Sequence, residues 1–190
     1  MSRSRTPAPS LTELFHPIVL AALEDLDLAD AAVADYLTGL LTRCALSEEL
    51  WALASGARLD GVADHLRAIR ARRAGDAPAD VVASARLEQQ LGDHALFMSG
   101  IFRNHVEGNG HLDYYIAEGS RSYWTVSELD LSLYRAGFIL FQELSKKFEY
   151  YSGALDYTRK AYFAAQPGED PFAGFLRQIE GWIKVNLTEN

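Results

Sequence analysis

The residues best suited to chemistry in this chain gather between Leu91 and Ser122. Leu91-Gly92-Asp93-His94-Ala95-Leu96-Phe97-Met98-Ser99-Gly100-Ile101-Phe102 reads as an apolar helix interrupted by Asp93, His94, Ser99 and two glycines. A carboxylate on such a helix must find a cation, a donor or water. Asp93 therefore has two roles open to it: it accepts a tyrosine hydroxyl and pins a neighbouring helix, or it serves as a pocket carboxylate with a shifted proton affinity. Gly92, Ser99 and Gly100 stand at i, i+7 and i+8 and share a face. A helix tolerates interior glycine, at a cost of about 1 kcal/mol, where another backbone or a ligand comes close. His94, Met98, Ile101 and His105 form a second stripe, but its two histidines lie about 16 Å apart along the axis, too far to share a metal.

The loop His105-Val106-Glu107-Gly108-Asn109-Gly110-His111-Leu112-Asp113 carries ligand-type side chains at spacings that match no metal template. A di-iron bundle needs Glu-x-x-His motifs on two facing helices, and the chain has a single such run, Glu13-Leu14-Phe15-His16. No metal is expected. Asp113 to Tyr123 repeats the small-and-polar theme: Tyr115, Gly119 and Ser122 share a face, and Arg121 can pair locally with Glu118. If this helix packs on the preceding one as a hairpin, Tyr114 or Tyr115 can reach Asp93. The candidate polar cluster is Asp93, His94, Ser99, Tyr114, Tyr115, Glu118 and Ser122, with Gly92, Gly100 and Gly119 read as close-packing positions.

The positioning elements are helices throughout. Ser10-Leu11-Thr12-Glu13 has the form of a capping box opening a helix to about Leu23, which Pro17 should kink or restart. Apolar residues at helical spacing continue from Leu26 to Ala45. A short helix after Ser47 and a helix over Asp60–Arg73 follow. Gly75-Asp76-Ala77-Pro78 is a helix stop followed by a start. Further helices are expected over 78–102, 112–124, 127–163 with a break near Ser152-Gly153, and 171–185. Period-two runs of β-formers are missing. The expectation is an all-α, single-domain bundle of seven or eight helices over residues 10–190, behind a disordered tail at 1–9.

Composition narrows the function classes. The 190 residues carry 18 Lys+Arg against 26 Asp+Glu, a net charge of −8, which repels phosphate backbones and disfavours nucleic acid as a partner. The charge is uneven: the acidic stretch from Glu24 to Glu49 is followed by arginines 58, 67, 70, 72 and 73, of which Arg67, Arg70, Arg72 and Arg73 form a basic helix that can meet a protein partner. Cys44 is the one cysteine and reads as a small buried hydrophobe. No secretory or membrane-spanning segment is legible, so a cytoplasmic protein with no membrane association is expected. Thirteen of the 21 aromatic residues fall between Tyr114 and Phe163. Such a concentration serves a core and its rim, a protein-contact surface, or a pocket for a flat ligand.

The pattern Leu91-Gly92-Asp93-x-Ala95-Leu96-Phe97-x-Ser99-Gly100-x-Phe102, followed by Asp113-Tyr114-Tyr115-Ile116-x-x-Gly119-x-x-x-Tyr123, resembles a family of uncharacterised all-helical bacterial proteins. Tyr36-Leu37-Thr38-Gly39-Leu40-Leu41 fits the same pattern upstream. The resemblance runs from about Val33 to Tyr162 and departs after Phe102, where Arg103-Asn104 replaces the family's Pro-Glu. It implies one folded unit with Asp93 near Tyr115, and brings no reaction with it. A weaker similarity is to the heme-oxygenase-like helical fold, which would cast Gly92-Asp93 and His16 around heme. No cofactor is otherwise predicted. Nucleophile-elbow, P-loop and dinucleotide motifs are missing. The sequence thus favours a non-catalytic interaction protein, acting as a regulatory, adaptor or assembly subunit and self-associating through its aromatic half. The alternative is a helical enzyme or carrier that binds an aromatic or apolar ligand, or heme, near Asp93.

Overall fold

A computed structural model describes residues 10–47, 81–164, 167 and 173–187. Among these the chain is all-α: α1 (Leu11–Asp25), α2 (Ala31–Ala45), α3 (Val81–Gly100), α4 (Arg103–Gly108), α5 (Leu112–Ser132), α6 (Gly137–Lys146), α7 (Phe148–Tyr162) and α8 (Ala173–Leu187), with no strand. The N-terminal tail, the short helix after Ser47, the arginine helix with Arg67, Arg70, Arg72 and Arg73, and the Gly75–Pro78 break lie outside the described residues. The chain divides into two compact units, residues 1–46 with 157–190 and residues 47–156, so the boundary falls inside α7.

In the first unit, local chemistry sets the helix ends. Ser10 and Glu13 form the expected reciprocal box: the Glu13 amide donates to Ser10 Oγ at 3.2 Å and the Ser10 amide donates to the Glu13 carboxylate. Pro17 sits inside α1, which neither restarts nor ends there. Asp30, not Leu26, begins the second helix, because its carboxylate accepts the Val33 amide at 3.0 Å and caps it. The buried face of α1 comprises Leu11, Phe15, Val19, Ala22 and Leu23. Phe15, Phe163 and Phe175 form an aromatic trio with centroids 5.2–6.3 Å apart. Tyr157 donates to Asp25 Oδ2 at 3.0 Å, and the Asp25 carboxylate holds its hydroxyl proton above the ordinary phenol range.

In the second unit, α3 and α5 pack antiparallel, joined by the short α4. Three helix ends among the described residues share one hydrogen-bond pattern. After α1, Leu28 N–H donates to Leu23 O and Asp27 N–H to Glu24 O; after α4, His111 to Val106 and Gly110 to Glu107; after α5, Arg135 to Asp130 and Tyr134 to Leu131. These are Schellman closures, which place one residue in the left-handed region. That residue is Asp27 (φ 55°), Gly110 (φ 69°) and Tyr134 (φ 54°) respectively. The last closure divides the long helical region expected from Ser127 to Phe163. The break expected at Ser152-Gly153 does not occur, and α7 runs through it, since a single glycine lowers helix propensity without stopping a helix.

Candidate functional site

The centre of the second unit is built on glycines. A Cβ on Gly92 would stand 2.5 Å from Tyr123 Cε1, one on Gly119 2.1 Å from Phe148 Cζ and 2.9 Å from Ala95 Cβ, and one on Gly100 2.6 Å from Leu155 Cβ. All three glycines therefore sit where another side chain occupies the Cβ position. With them in place, the Tyr123 ring lies over Gly92, 5.7 Å from the Phe141 ring and 5.8 Å from the Phe148 ring.

This seating decides the partner of Asp93. The fully buried Tyr123 donates its hydroxyl to Asp93 Oδ1 at 2.8 Å. Neither Tyr114 nor Tyr115, the partners expected from sequence, does so. The reason is register: in an antiparallel pair with Ala95 against Gly119, residue 93 faces two turns further along α5 than Tyr115. Tyr115 instead lies beside His94, centroids 6.4 Å apart, and edge-on to Tyr114 at 6.1 Å. Burial, to which the neighbouring Tyr114 phenol adds, pushes its hydroxyl up to about 12.

The remaining predicted residues scatter. Ser99 is buried and its hydroxyl turns back to Leu96 O at 3.4 Å on its own helix. Ser122 is buried on the inner face of α5, while Glu118 and Tyr114 are half-buried. Arg121 is exposed and does not pair with Glu118; no ion pair joins it to any described residue. In the 105–113 segment, Asn109 Nδ2 donates to His105 O at 3.0 Å, and its amide group lies 2.9 Å from His105 Nε2. Among the described residues no three His, Cys, Asp or Glu side chains gather as a metal site requires. Each side chain cast for heme is engaged inside its own unit: His16 Nε2 lies 3.1 Å from Asp35 Oδ1, and Asp93 holds Tyr123.

Two features are not foreshadowed in the sequence. Ser120 and Ser145 exchange hydroxyl-to-carbonyl bonds, Ser145 Oγ to Ser120 O at 2.8 Å and Ser120 Oγ to Ser145 O at 2.9 Å, locking α5 to α6. The run Gly119-Ser120-x-Ser122 signals a close approach; the identity of the other half of the lock, 25 residues away, is not in it. The second feature is the α5–α6 turn. Tyr134 is 98% exposed, Ile139 64% and Leu131 55%. The charges within it, Asp130 and Arg135, face each other, with Nη1 3.6 Å from Oδ1. Asp130 Oδ2 also fills the space beside Gly137 that a Cβ would need.

The fold and site thus define an all-α protein with a glycine-seated tyrosine–aspartate core and an exposed aromatic turn. No helix among the described residues is long and apolar enough to cross a membrane. No protein family, no curated protein and no solved structure matches the chain.

Proposed function

We propose that this protein acts by binding another protein, as a regulatory, adaptor or assembly subunit, and that the turn closing α5 is its contact point. One observation carries the reading. Tyr134 occupies a left-handed backbone position, yet 98% of it is exposed to solvent. For a non-glycine residue that conformation costs about 1–2 kcal/mol. The two equivalent helix ends use glycine and aspartate, which adopt it more easily. Packing within the chain does not explain a tyrosine there, whereas a partner does: tyrosine is enriched among residues that dominate binding energy at interfaces. Strain of this kind collects at functional positions.

The pocket reading at Asp93 has less support, because the Asp93 carboxylate already accepts a fully buried phenol. A basic patch at Arg67, Arg70, Arg72 and Arg73 stays a proposal from sequence.

The test places a photo-crosslinking amino acid at Tyr134 and, as a control, at exposed Glu107. Irradiation in the source cells should give adducts of discrete mass from position 134 and not from 107. Equal labelling at both positions, or none at 134, refutes the reading. The companion variant Tyr134→Gly should leave the fold intact, raise its stability by up to about 1 kcal/mol and abolish the adducts formed through a second crosslinker at Leu131.

A further inference from the structure

We infer that the partner of this surface is a second copy of the chain, paired through the outer face of α5 in an antiparallel two-fold arrangement; the inference rests on the interaction reading above. The inner face of α5 carries its buried residues, from Tyr115 through Gly119 and Tyr123 to Asp130. The outer face carries Ala117, Arg121, Trp124, Glu128 and Leu131, all exposed, at spacings of four, three, four and three that keep them on one stripe. Trp124 is 40% exposed and Leu131 55%. Tyr134 follows in the turn just beyond the end of α5.

The charges on this stripe are complementary to themselves. Arg121 and Glu128 are seven residues apart, about 10 Å along the axis, too far to pair within the helix. Neither forms an ion pair with another described residue. Set a second α5 antiparallel, with the two-fold axis between residues 124 and 125, and each Arg121 faces the other copy's Glu128. The two Trp124 side chains meet at the centre, and Ala117 faces Ser132, small against small. A parallel arrangement would bring Arg121 onto Arg121 and Glu128 onto Glu128, so charge selects the antiparallel one. The chain as a whole carries −8 and two copies repel. This stripe is balanced, and the turn beyond it is neutral because Asp130 and Arg135 face each other. It is thus a surface on which a second copy meets no net repulsion.

The exposed parts of Trp124, Leu131 and Tyr134 amount to roughly 400 Å² per copy, most of the roughly 500 Å² per copy that a specific, if modest, interface needs. A closed two-fold contact of this kind limits assembly to the dimer.

Sedimentation equilibrium of the full chain tests the inference. The native protein should pass from monomer to dimer as its concentration rises. Arg121→Glu and Glu128→Arg should each weaken the dimer by at least about tenfold while circular dichroism stays unchanged. The double variant, with the charges exchanged, should dimerise again, and an equimolar mixture of the two single variants should form a mixed dimer. A native chain that stays monomeric at all attainable concentrations overturns the inference, as does a dimer that ignores both single substitutions or is not rescued by the exchange. If position 134 gives discrete adducts with a different protein while the chain is monomeric, the second copy is wrong and the interaction reading survives. If it gives none, both fall.

Discussion

Removing the Asp93 carboxylate and the Tyr123 hydroxyl separately and together tests whether the core of the second unit depends on their bond. In Asp93→Ala the hydroxyl of the fully buried Tyr123 loses this acceptor. A bond to a charged acceptor contributes about 1.5–3 kcal/mol, and stranding a buried donor costs a similar amount. The expected loss is therefore about 2–3 kcal/mol. Tyr123→Phe keeps the ring over Gly92 and between Phe141 and Phe148. It leaves Asp93 half-buried, where water can replace the phenol, and the expected loss is about 1 kcal/mol. The double variant should fall short of the sum of the two by about 1 kcal/mol, because the stranded donor is gone. Urea unfolding, followed by far-ultraviolet circular dichroism and by the near-ultraviolet tyrosine signal, measures all three. If Asp93→Ala costs less than about 0.5 kcal/mol, as an ordinary surface substitution does, the bond is not structural and Asp93 returns to being a candidate ligand group.

Glycine substitutions should divide by what occupies the Cβ position. Gly119→Ala meets the Phe148 ring and Ala95, and should cost about 1–3 kcal/mol in thermal or urea unfolding. Gly153→Ala meets nothing within 4 Å inside a continuous helix, and should raise stability by up to about 1 kcal/mol. Ser145→Ala removes the 2.8 Å bond to Ser120 O and leaves the Ser120 hydroxyl its bond to Ser145 O; a loss of about 1 kcal/mol, with faster amide exchange along α6, is expected. The Tyr115 hydroxyl, pushed up to about 12, titrates above its unfolded value of 10.0. Its contribution is complete below about pH 10, shrinks as the unfolded chain ionises first, and is lost by about pH 12. Tyr115→Phe should remove a stability decrease on the order of 1–2 kcal/mol across that window, as read by urea unfolding at stepped pH.

Local chemistry is legible in the sequence because its partners lie within a few residues of one another. The Ser10–Glu13 box lies within a single helical turn, and the closure at Gly110 needs only a glycine after such a turn. The close-packing glycines can be located from the faces they share with other small residues, and at Gly92, Gly100 and Gly119 another side chain does occupy the Cβ position. Other local features give no such signal. The end of α5 has tyrosine where glycine usually marks a stop, so the sequence there reads as continuous helix into α6. Gly153, in contrast, looks like a break and is simply a helical residue with open space around it.

By itself the sequence determined the helical class, the Ser10–Glu13 cap and several positions at which helices approach closely, because hydrophobic period, capping and glycine sterics act along the chain. Tertiary structure alone decided which groups meet. The facing of Ala95 and Gly119 sets the register of α3 on α5, and a shift of two turns on α5 separates Tyr115 from Tyr123 as the partner of Asp93. The Ser120–Ser145 lock and the pairing of Asp130 with Arg135 across the turn likewise depend on how helices pack. Hydroxyls and carboxylates reach only about 3 Å, so which of several tyrosines bonds to an aspartate is fixed by helix register and not by residue type.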